Sequence, residues 1–257
     1  MPTLDRDGVR VHYEIHGEGP LILLSHGYSA TSEMWRGQIA ALSRRHTLIV
    51  WDMRGHGQTD YPEDLSEYSE EKTVADMAAL LDAGGADSAI VGGLSLGGYM
   101  SLAFHLAHPD RVRALLVIDT GPGFRSDEAR ERWNKHAFGI ANRFEVEGLS
   151  HIRSLSKEMA MSSHRSADGL IRAGHGMLTQ RDARVINSLP NIKVPALVIV
   201  GANDAPFLNA AEYMAAKIPN ATKLVIPNAG HAVNLDQPGR FNQAVLRFLE
   251  SVGKSVE

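Results

Sequence analysis

Ser95 stands between two glycines in the pattern Gly93-Leu94-Ser95-Leu96-Gly97. A short apolar run, Ala89–Val91, precedes the pattern, and apolar residues recur at helical spacing from Leu96 to Ala107. A serine on a sharp strand-to-helix turn brings the backbone on either side close together, and glycine without a Cβ fits there. The first N–H groups of the helix have no partner within the helix and can stabilise an oxyanion. Five common residues can match such a pattern by chance, but the flanking strand and helix favour a nucleophilic serine.

Strands and helices alternate on both sides of this unit. Residues 3–24 predict three strands, with a hairpin turn at Asp7-Gly8. The later predicted strands are residues 47–51, 89–91, 112–118, 196–200 and 222–226, and the predicted helices are residues 32–42 with Ser32 as cap, a helix from about 69, and 96–107, 209–217 and 241–252. This order predicts an α/β fold with a mostly parallel twisted sheet and helices on both faces. The alternation stops between about Pro122 and Asn191.

Several polar residues follow the predicted strands directly. They are His26, Asp52, Ser95, Asp119, Asp204 and His231. In a parallel sheet the ligand site lies outside the carboxyl ends of the strands. We therefore expect a serine, carboxylates and histidines to meet at one edge of the sheet, and this convergence carries more weight than any single motif.

These segments together resemble the α/β-hydrolase superfamily over nearly the whole chain. The resemblance rests on His26-Gly27, Asp52-Met53-Arg54-Gly55-His56-Gly57, Gly93-Leu94-Ser95-Leu96-Gly97, Gly201-Ala202-Asn203-Asp204 and Gly230-His231. It implies a core of residues 1–121 and 192–257 and a helical cap, or lid, of residues 122–191. Within the superfamily the chain is similar to esterases, enol-lactone hydrolases, carbon–carbon bond hydrolases and cofactor-free haloperoxidase-like enzymes with a small cap.

The resemblance also implies a role for each site residue. Ser95 would be the nucleophile, His231 the general base and then the general acid, and Asp204 the carboxylate that orients His231. The backbone N–H groups of Tyr28 and Leu96 would form the oxyanion hole. A surface histidine is the ordinary alternative for His231, but none of the other eleven histidines follows the final strand in a Gly-His loop.

Three other acidic positions need an interpretation. Asp119 follows the strand after Ser95 and is the rival to Asp204, because some superfamily members carry the acid there. Asp52 and His56 lie in a loop whose glycine spacing does not match the dinucleotide fingerprint, so we interpret them as structural, braced by charge pairs. Asp236 precedes the last helix and is interpreted as its cap.

Composition excludes several classes of function. The chain has 257 residues, 44% apolar content, a formal net charge of −4 and no cysteine. The charge argues against nucleic-acid or anionic-membrane partners, and the lack of cysteine excludes disulfides and thiolate nucleophiles. The N-terminus has no apolar signal segment, so we expect a cytoplasmic protein. No metal motif or phosphate-binding loop is present, so we expect no cofactor. We expect a small-molecule substrate; a homo-oligomer is possible, but the sequence does not indicate one.

Two hypotheses of different classes remain open. The first is a serine hydrolase that cleaves a carboxylic ester or lactone through an acyl-enzyme, with carbon–carbon bond hydrolysis of a ring-fission diketone as its close alternative. The second is a slow-turnover ligand-binding protein on the same fold. Apolar cap residues predict a largely apolar pocket. Four basic residues between Arg125 and His175 are candidates to meet a substrate carboxylate, against the alternative that they are solvated: Arg125, His164, Arg172 and His175.

Overall fold

The computed structural model describes residues 3–154 and 156–254, and eight strands form one sheet through its centre. The strands are β1 (Thr3–Arg6), β2 (Val9–His16), β3 (Leu21–Ser25), β4 (Thr47–Trp51), β5 (Ala89–Leu94), β6 (Val112–Ile118), β7 (Ala196–Gly201) and β8 (Ala221–Ile226). Their order in the sheet is β1-β2-β4-β3-β5-β6-β7-β8. The first two strands join antiparallel, and all pairs from β4 to β8 are parallel. The predicted mostly parallel α/β fold is confirmed.

Helices follow most of the strands and cover both faces of the sheet. They are α1 (Arg36–Leu42), α2 (Glu70–Ala83), α3 (Leu96–Ala107), α4 (Asp127–Glu147), α5 (Lys157–Ala160), α6 (Ala167–His175), α7 (Arg184–Ser188), α8 (Ala205–Lys217), α9 (Val233–Asp236) and α10 (Pro238–Lys254). In the described part of the chain no helix is long and apolar enough to cross a bilayer.

The central strands are buried on both faces, and their alternation divides the core in two. In β3, Leu21 and Leu23 pack with α2 and α3 on one face. Ile22 and Leu24 pack on the other face with α1 and α10. This is why these strands read as continuous apolar runs, which is typical of a parallel sheet covered by helices on both sides.

Three helix starts differ from the sequence predictions, and one of them is that of α10, which was predicted from residue 241 and begins at Pro238. Ser32 does not cap a helix, because it lies inside a 3-10 turn, Ser32–Trp35, that precedes α1. Its backbone N–H donates to Asp52 Oδ1 at 2.7 Å, so a carboxylate distant in the chain takes the place of a local cap. The helix predicted from residue 209 begins at Ala205 instead, directly after Asp204, with Pro206 in its first turn. Proline is well tolerated at that position, because the first N–H groups of a helix have no partner within it.

Residues 122–191 lie between β6 and β7 and contain α4 to α7. This segment packs on the core at the carboxyl edge of the sheet. The Tyr28 hydroxyl donates to Leu170 O at 2.7 Å, and the Thr31 hydroxyl lies 3.4 Å from Ser162 Oγ. These contacts place the segment directly above the loop that follows β3.

Candidate active site

Ser95 occupies a strained turn between β5 and α3. Its backbone has φ 55° and ψ −116°, a conformation with positive φ that residues other than glycine adopt rarely. Three backbone contacts hold it there. Ser95 N donates to Ile118 O at 2.9 Å, and Ser95 O accepts from Tyr99 N at 3.0 Å and from Thr120 Oγ1 at 2.6 Å. Hydrogen bonds to β6 and to α3 therefore hold the strained backbone of Ser95 in place.

The two glycines of the pattern have no room for a side chain. A Cβ on Gly93 would lie 2.5 Å from Gly97 C and 2.5 Å from Ser25 O. A Cβ on Gly97 would lie 2.3 Å from Ser25 O. Contacts below 3.0 Å are repulsive, so any larger residue would displace β3 from β5 and with it the turn. The steric argument made from the sequence agrees with this geometry.

The loop after β3 passes directly beside Ser95. A Cβ on Gly27 would be only 3.5 Å from Ser95 Cβ, which brings the neighbouring Tyr28 amide to the same place. Leu96 N belongs to the first turn of α3, where N–H groups lack helical partners. Within the described part of the chain neither amide donates to a protein acceptor. Two free donors therefore stand on either side of the serine.

His231 and Asp204 form a hydrogen-bonded pair at the same edge of the sheet. His231 Nδ1 lies 2.8 Å from Asp204 Oδ2. Asp204 is buried at 5% exposure, whereas the His231 side chain is 25% exposed. The ring of Phe207 stacks on the imidazole at 5.0 Å between centroids. Since Nδ1 is engaged by the carboxylate, Nε2 is the nitrogen left for proton transfer.

Asp119, the rival to Asp204, contacts two backbone amides instead. Its Oδ1 accepts from Gly201 N at 2.8 Å, and its Oδ2 accepts from Val233 N at 3.2 Å. Burial raises the pKa of Asp119, and these two donors oppose the rise. The carboxylate thus joins the end of β7, just before Asp204, to the residue two positions after His231.

The loops that carry the pair are tied together by their backbones. Asn203 N donates to Ala229 O at 2.8 Å, and a Cβ on Gly201 would lie 2.2 Å from Gly230 O. Asp236 Oδ2 accepts from Gly230 N at 2.8 Å. Asp236 therefore braces the histidine loop rather than capping the last helix, which corrects the interpretation made from its position in the sequence.

The environment of His231 favours its cation. Burial lowers the pKa of His231, but the hydrogen bond to Asp204 and the charges of Asp204 and Asp119 together raise it above its ordinary value. A base with a pKa near the working pH is effective in proton transfer, because both of its protonation states are accessible. The pair has the electrostatics of a general base held by a carboxylate.

Asp52 and His56 brace the loops below the site, in agreement with their structural interpretation. Asp52 Oδ2 accepts from Gln58 N at 2.9 Å, and His56 Nε2 accepts from Ser29 N at 3.2 Å. The buried Arg54 guanidinium makes two contacts of 2.7 Å and 2.8 Å with the carboxylate of Asp76. These groups form hydrogen bonds with backbone amides or ion pairs with one another.

A small cavity opens at Ser95. Its volume is about 130 Å³. Core residues of its wall include Ser95, Leu96 and Phe207, and the cap adds Trp133 and Leu178. The cavity is thus mostly apolar, and Phe207 connects it to His231. A larger open depression of about 670 Å³ lies between α2, α3 and α7, but neither Ser95 nor His231 lines it.

The four basic cap residues that the sequence offered as carboxylate ligands do not line this cavity. His164 instead accepts from Gly57 N at 3.1 Å through Nδ1, and its Nε2 lies 3.0 Å from Ser29 O. The polar cap residue that does enter the cavity wall is Gln180, which the sequence analysis did not single out. A lone glutamine between Thr179 and Arg181 carries no local signal that distinguishes it from a surface residue.

Within the described residues no group of three or more histidine, aspartate or glutamate side chains is arranged to hold a metal ion. The side chains at this site supply a serine hydroxyl and a histidine paired with a carboxylate, and the backbone supplies two amide N–H groups beside the serine.

A family model described as alpha/beta hydrolase fold matches residues 20–170. A Bacillus subtilis (strain 168) relative, provisionally named 2-succinyl-6-hydroxy-2,4-cyclohexadiene-1-carboxylate synthase, is 29% identical over 269 residues, covering 96% of this chain and 97% of the relative.

Two solved structures are similar over almost their full length. A thermophilic esterase from Thermogutta terrifontis is 30% identical with a TM-score of 0.81, covering 97% of each chain. The enol-lactonase from Burkholderia xenovorans LB400 is 26% identical with a TM-score of 0.78, covering 97% of this chain and all of the other. The fold and the lengths of these proteins therefore agree with those of this chain.

Proposed function

This chain belongs to the α/β-hydrolase fold family, and from that premise we propose that it is a serine hydrolase of carboxylic esters or lactones. Its substrate would be small, neutral and largely apolar in the part that enters the cavity. One observation carries the proposal. Ser95 lines a mostly apolar cavity whose wall also contains Phe207, the ring stacked on the imidazole of the hydrogen-bonded His231–Asp204 pair.

In the proposed reaction Ser95 Oγ attacks the substrate carbonyl carbon, and His231 Nε2 takes the hydroxyl proton. The tetrahedral oxyanion accepts hydrogen bonds from the N–H groups of Tyr28 and Leu96. The carbon–oxygen bond then breaks, and His231 returns the proton to the leaving alcohol. Water attacks the acyl-enzyme with His231 again as base, which releases the acid and restores Ser95.

Asp204 would hold the imidazole in the tautomer that leaves Nε2 free, and its charge would stabilise the imidazolium formed in both steps. Asp119 would act indirectly, by holding the two loops that bring His231 and Asp204 together. Loss of one oxyanion donor costs roughly 10²–10³ in turnover in other enzymes, so the position of the Tyr28 amide also contributes strongly to the rate.

The size and charge of the cavity support the substrate class. About 130 Å³ is close to the roughly 150 Å³ of a protein cavity that accepts benzene, so a short or single-ring group fills it. Its lining residues carry no charge. A buried carboxylate needs a partner, so a neutral group suits this wall better than an anionic one. The esterase and enol-lactonase similarities support the same class of bond.

The test is a set of initial rates with nitrophenyl esters of increasing acyl length, several small lactones and a ring-fission diketone. We expect short acyl esters or lactones to react fastest and the Ser95→Ala variant to be inactive. Equal rates in both proteins would refute the serine mechanism. Cleavage of the diketone with negligible ester turnover would favour the carbon–carbon alternative. Tight binding with turnover slower than about one per minute, against a typical enzyme median near 10 s⁻¹, would favour a binding protein.

A further inference from the structure

Gln180 lines the cavity, and its side-chain amide oxygen has no hydrogen-bond partner among the described residues. The other polar side chains among the described lining residues, apart from Ser95, are already hydrogen-bonded. The Tyr99 hydroxyl donates to Glu70 Oε2 at 2.8 Å, and the Thr120 hydroxyl donates to Ser95 O at 2.6 Å. Trp133 Nε1 donates to Leu178 O at 2.8 Å. Gln180 Oε1 is buried and has no hydrogen-bond partner within the described residues.

The backbone of Gln180 is held firmly. Its N–H donates to Asn134 Oδ1 at 2.8 Å, and its carbonyl accepts from Asn134 Nδ2 at 3.0 Å. This reciprocal pair ties the residue to α4, and the Trp133 contact ties the same segment two residues earlier. The Gln180 side chain lines the cavity, and its Oε1 is buried against Gly123, so a rotation of the terminal amide would turn this oxygen toward a group in the cavity.

A neighbouring glycine in the cavity wall makes room for the amide. Gly123 has φ +89°, and a Cβ on it would lie 2.9 Å from Gln180 Oε1 and 3.3 Å from Gln180 Cδ. A residue with a side chain at position 123 would therefore push the amide out of place. The cavity thus combines an apolar wall, a nucleophile at one end and a buried acceptor without a donor.

A buried acceptor without a partner is unfavourable, and native proteins rarely keep one. A ligand that donates a hydrogen bond would supply the partner. We propose that Gln180 is a specificity-determining residue whose Oε1 accepts a hydrogen bond from a neutral hydroxyl or amide N–H on the group that fills the cavity. This inference rests on the proposed function and narrows its substrate class to hydroxylated or amide-bearing small esters and lactones.

The test uses a matched pair of probes, 4-nitrophenyl butyrate and 4-nitrophenyl 3-hydroxybutyrate, which differ by one hydroxyl. Binding is measured by calorimetry with the Ser95→Ala protein, so the result does not depend on turnover. We expect the hydroxylated ester to bind at least tenfold more tightly. In Ser95→Ala/Gln180→Met, which keeps the length of the side chain and removes the amide, we expect the two affinities to become equal.

Two further variants separate recognition from packing. Leu178→Met changes the same wall without changing any polar group, and we expect it to keep the tenfold ratio. Gly123→Ala crowds the amide and also strains a backbone held at φ +89°, so we expect it to lose the ratio, and that loss counts only if the affinity for the plain butyrate ester is unchanged. Thermal unfolding of each variant shows that it is folded at the assay temperature.

The proposal would be overturned by equal affinities in Ser95→Ala, or by a ratio that survives Gln180→Met. The proposed function is tested separately, by turnover of the plain butyrate ester in the wild-type protein and its loss in Ser95→Ala. Turnover without a binding preference would contradict only the role of Gln180. A binding preference without turnover would support Gln180 and contradict the hydrolase.

Discussion

Replacing Asp204 and Asp119 separately by asparagine tests how the site is built. The two carboxylates are both buried and lie near His231, but they have different partners. Asp204 contacts the imidazole at 2.8 Å, whereas Asp119 accepts two backbone N–H groups. We expect Asp204→Asn to affect mainly the rate and Asp119→Asn mainly the stability.

The expected losses follow from those contacts. Asp204→Asn replaces the acceptor of the imidazole N–H and removes its charge, and the same change in a serine protease lowers turnover about 10⁴-fold. Asp119→Asn keeps one oxygen and turns an amide NH₂ toward the other backbone N–H. One buried donor is then unpaired, which costs about 1–3 kcal/mol of unfolding free energy. A domain stable by about 5–15 kcal/mol remains folded after that loss.

Asp119→Asn also affects the rate, but indirectly. Gly201 precedes Asp204 by three residues and Val233 follows His231 by two, so a shift of either loop moves the pair. A displacement of about 1 Å costs on the order of 10² in rate, which is the loss we expect for this variant. Asp204→Asn should therefore be about 100 times slower than Asp119→Asn, and Asp119→Asn should unfold at the lower denaturant concentration.

The assay is kcat/KM for a short nitrophenyl ester with each variant, together with urea unfolding of the same preparations. Wild type and Ser95→Ala set the two ends of the activity scale. If Asp119→Asn removed activity completely while Asp204→Asn stayed within tenfold of wild type, the assignment of the acid would be wrong. If neither variant changed activity by more than tenfold, the whole triad reasoning would fail.

Three further predictions concern the pH profile, the cap and the core. Burial lowers the pKa of His231, but Asp204 raises it above its ordinary value, so kcat/KM should rise with pH with a midpoint above about 6.5. Asp204→Asn should move that midpoint to lower pH, and an unchanged midpoint would contradict the pairing. Burial lowers the pKa of His164 to about 4, below its unfolded value, so its contribution to stability is present above about pH 6.5 and is lost as pH falls toward 4. His164→Phe should flatten that part of the stability curve in urea unfolding, and it should lower kcat more than it changes KM, because His164 contacts Ser29 beside the Tyr28 amide. Arg54→Met should cost about 3–5 kcal/mol in the same unfolding assay, since it strips a fully buried Asp76 of its bidentate partner; a loss below about 1 kcal/mol would show that the ion pair is dispensable.

The sequence by itself determined the fold class and the position of the sharp turn at Ser95. Apolar runs of strand length alternating with helical periodicity predict a parallel sheet, because both signals depend on residues close together in the chain. The turn at Ser95 is equally local, since the need for glycine at 93 and 97 arises from their immediate surroundings. The rule that strand ends converge then brought His231 and the candidate acids to one edge.

Only the tertiary structure decided which groups face each other across that edge. Asp119 and Asp204 both follow strands, and nothing local distinguishes a carboxylate that contacts His231 from one that holds Gly201 and Val233. Asp236 likewise turned out to brace Gly230. Side-chain direction in a loop depends on hydrogen bonds between distant segments, and a sequence pattern does not contain them.

The cap illustrates the same limit. Its apolar residues predicted an apolar pocket, and Trp133 and Leu178 do line the cavity. Its basic residues were equally reasonable ligands by composition, but His164 contacts the core backbone and Gln180 reaches the cavity. A helix periodicity tells which face is buried. Which buried side chain meets a substrate depends on how α4 and the segment after α6 pack over β5 and α3, and that packing is a property of the folded chain alone.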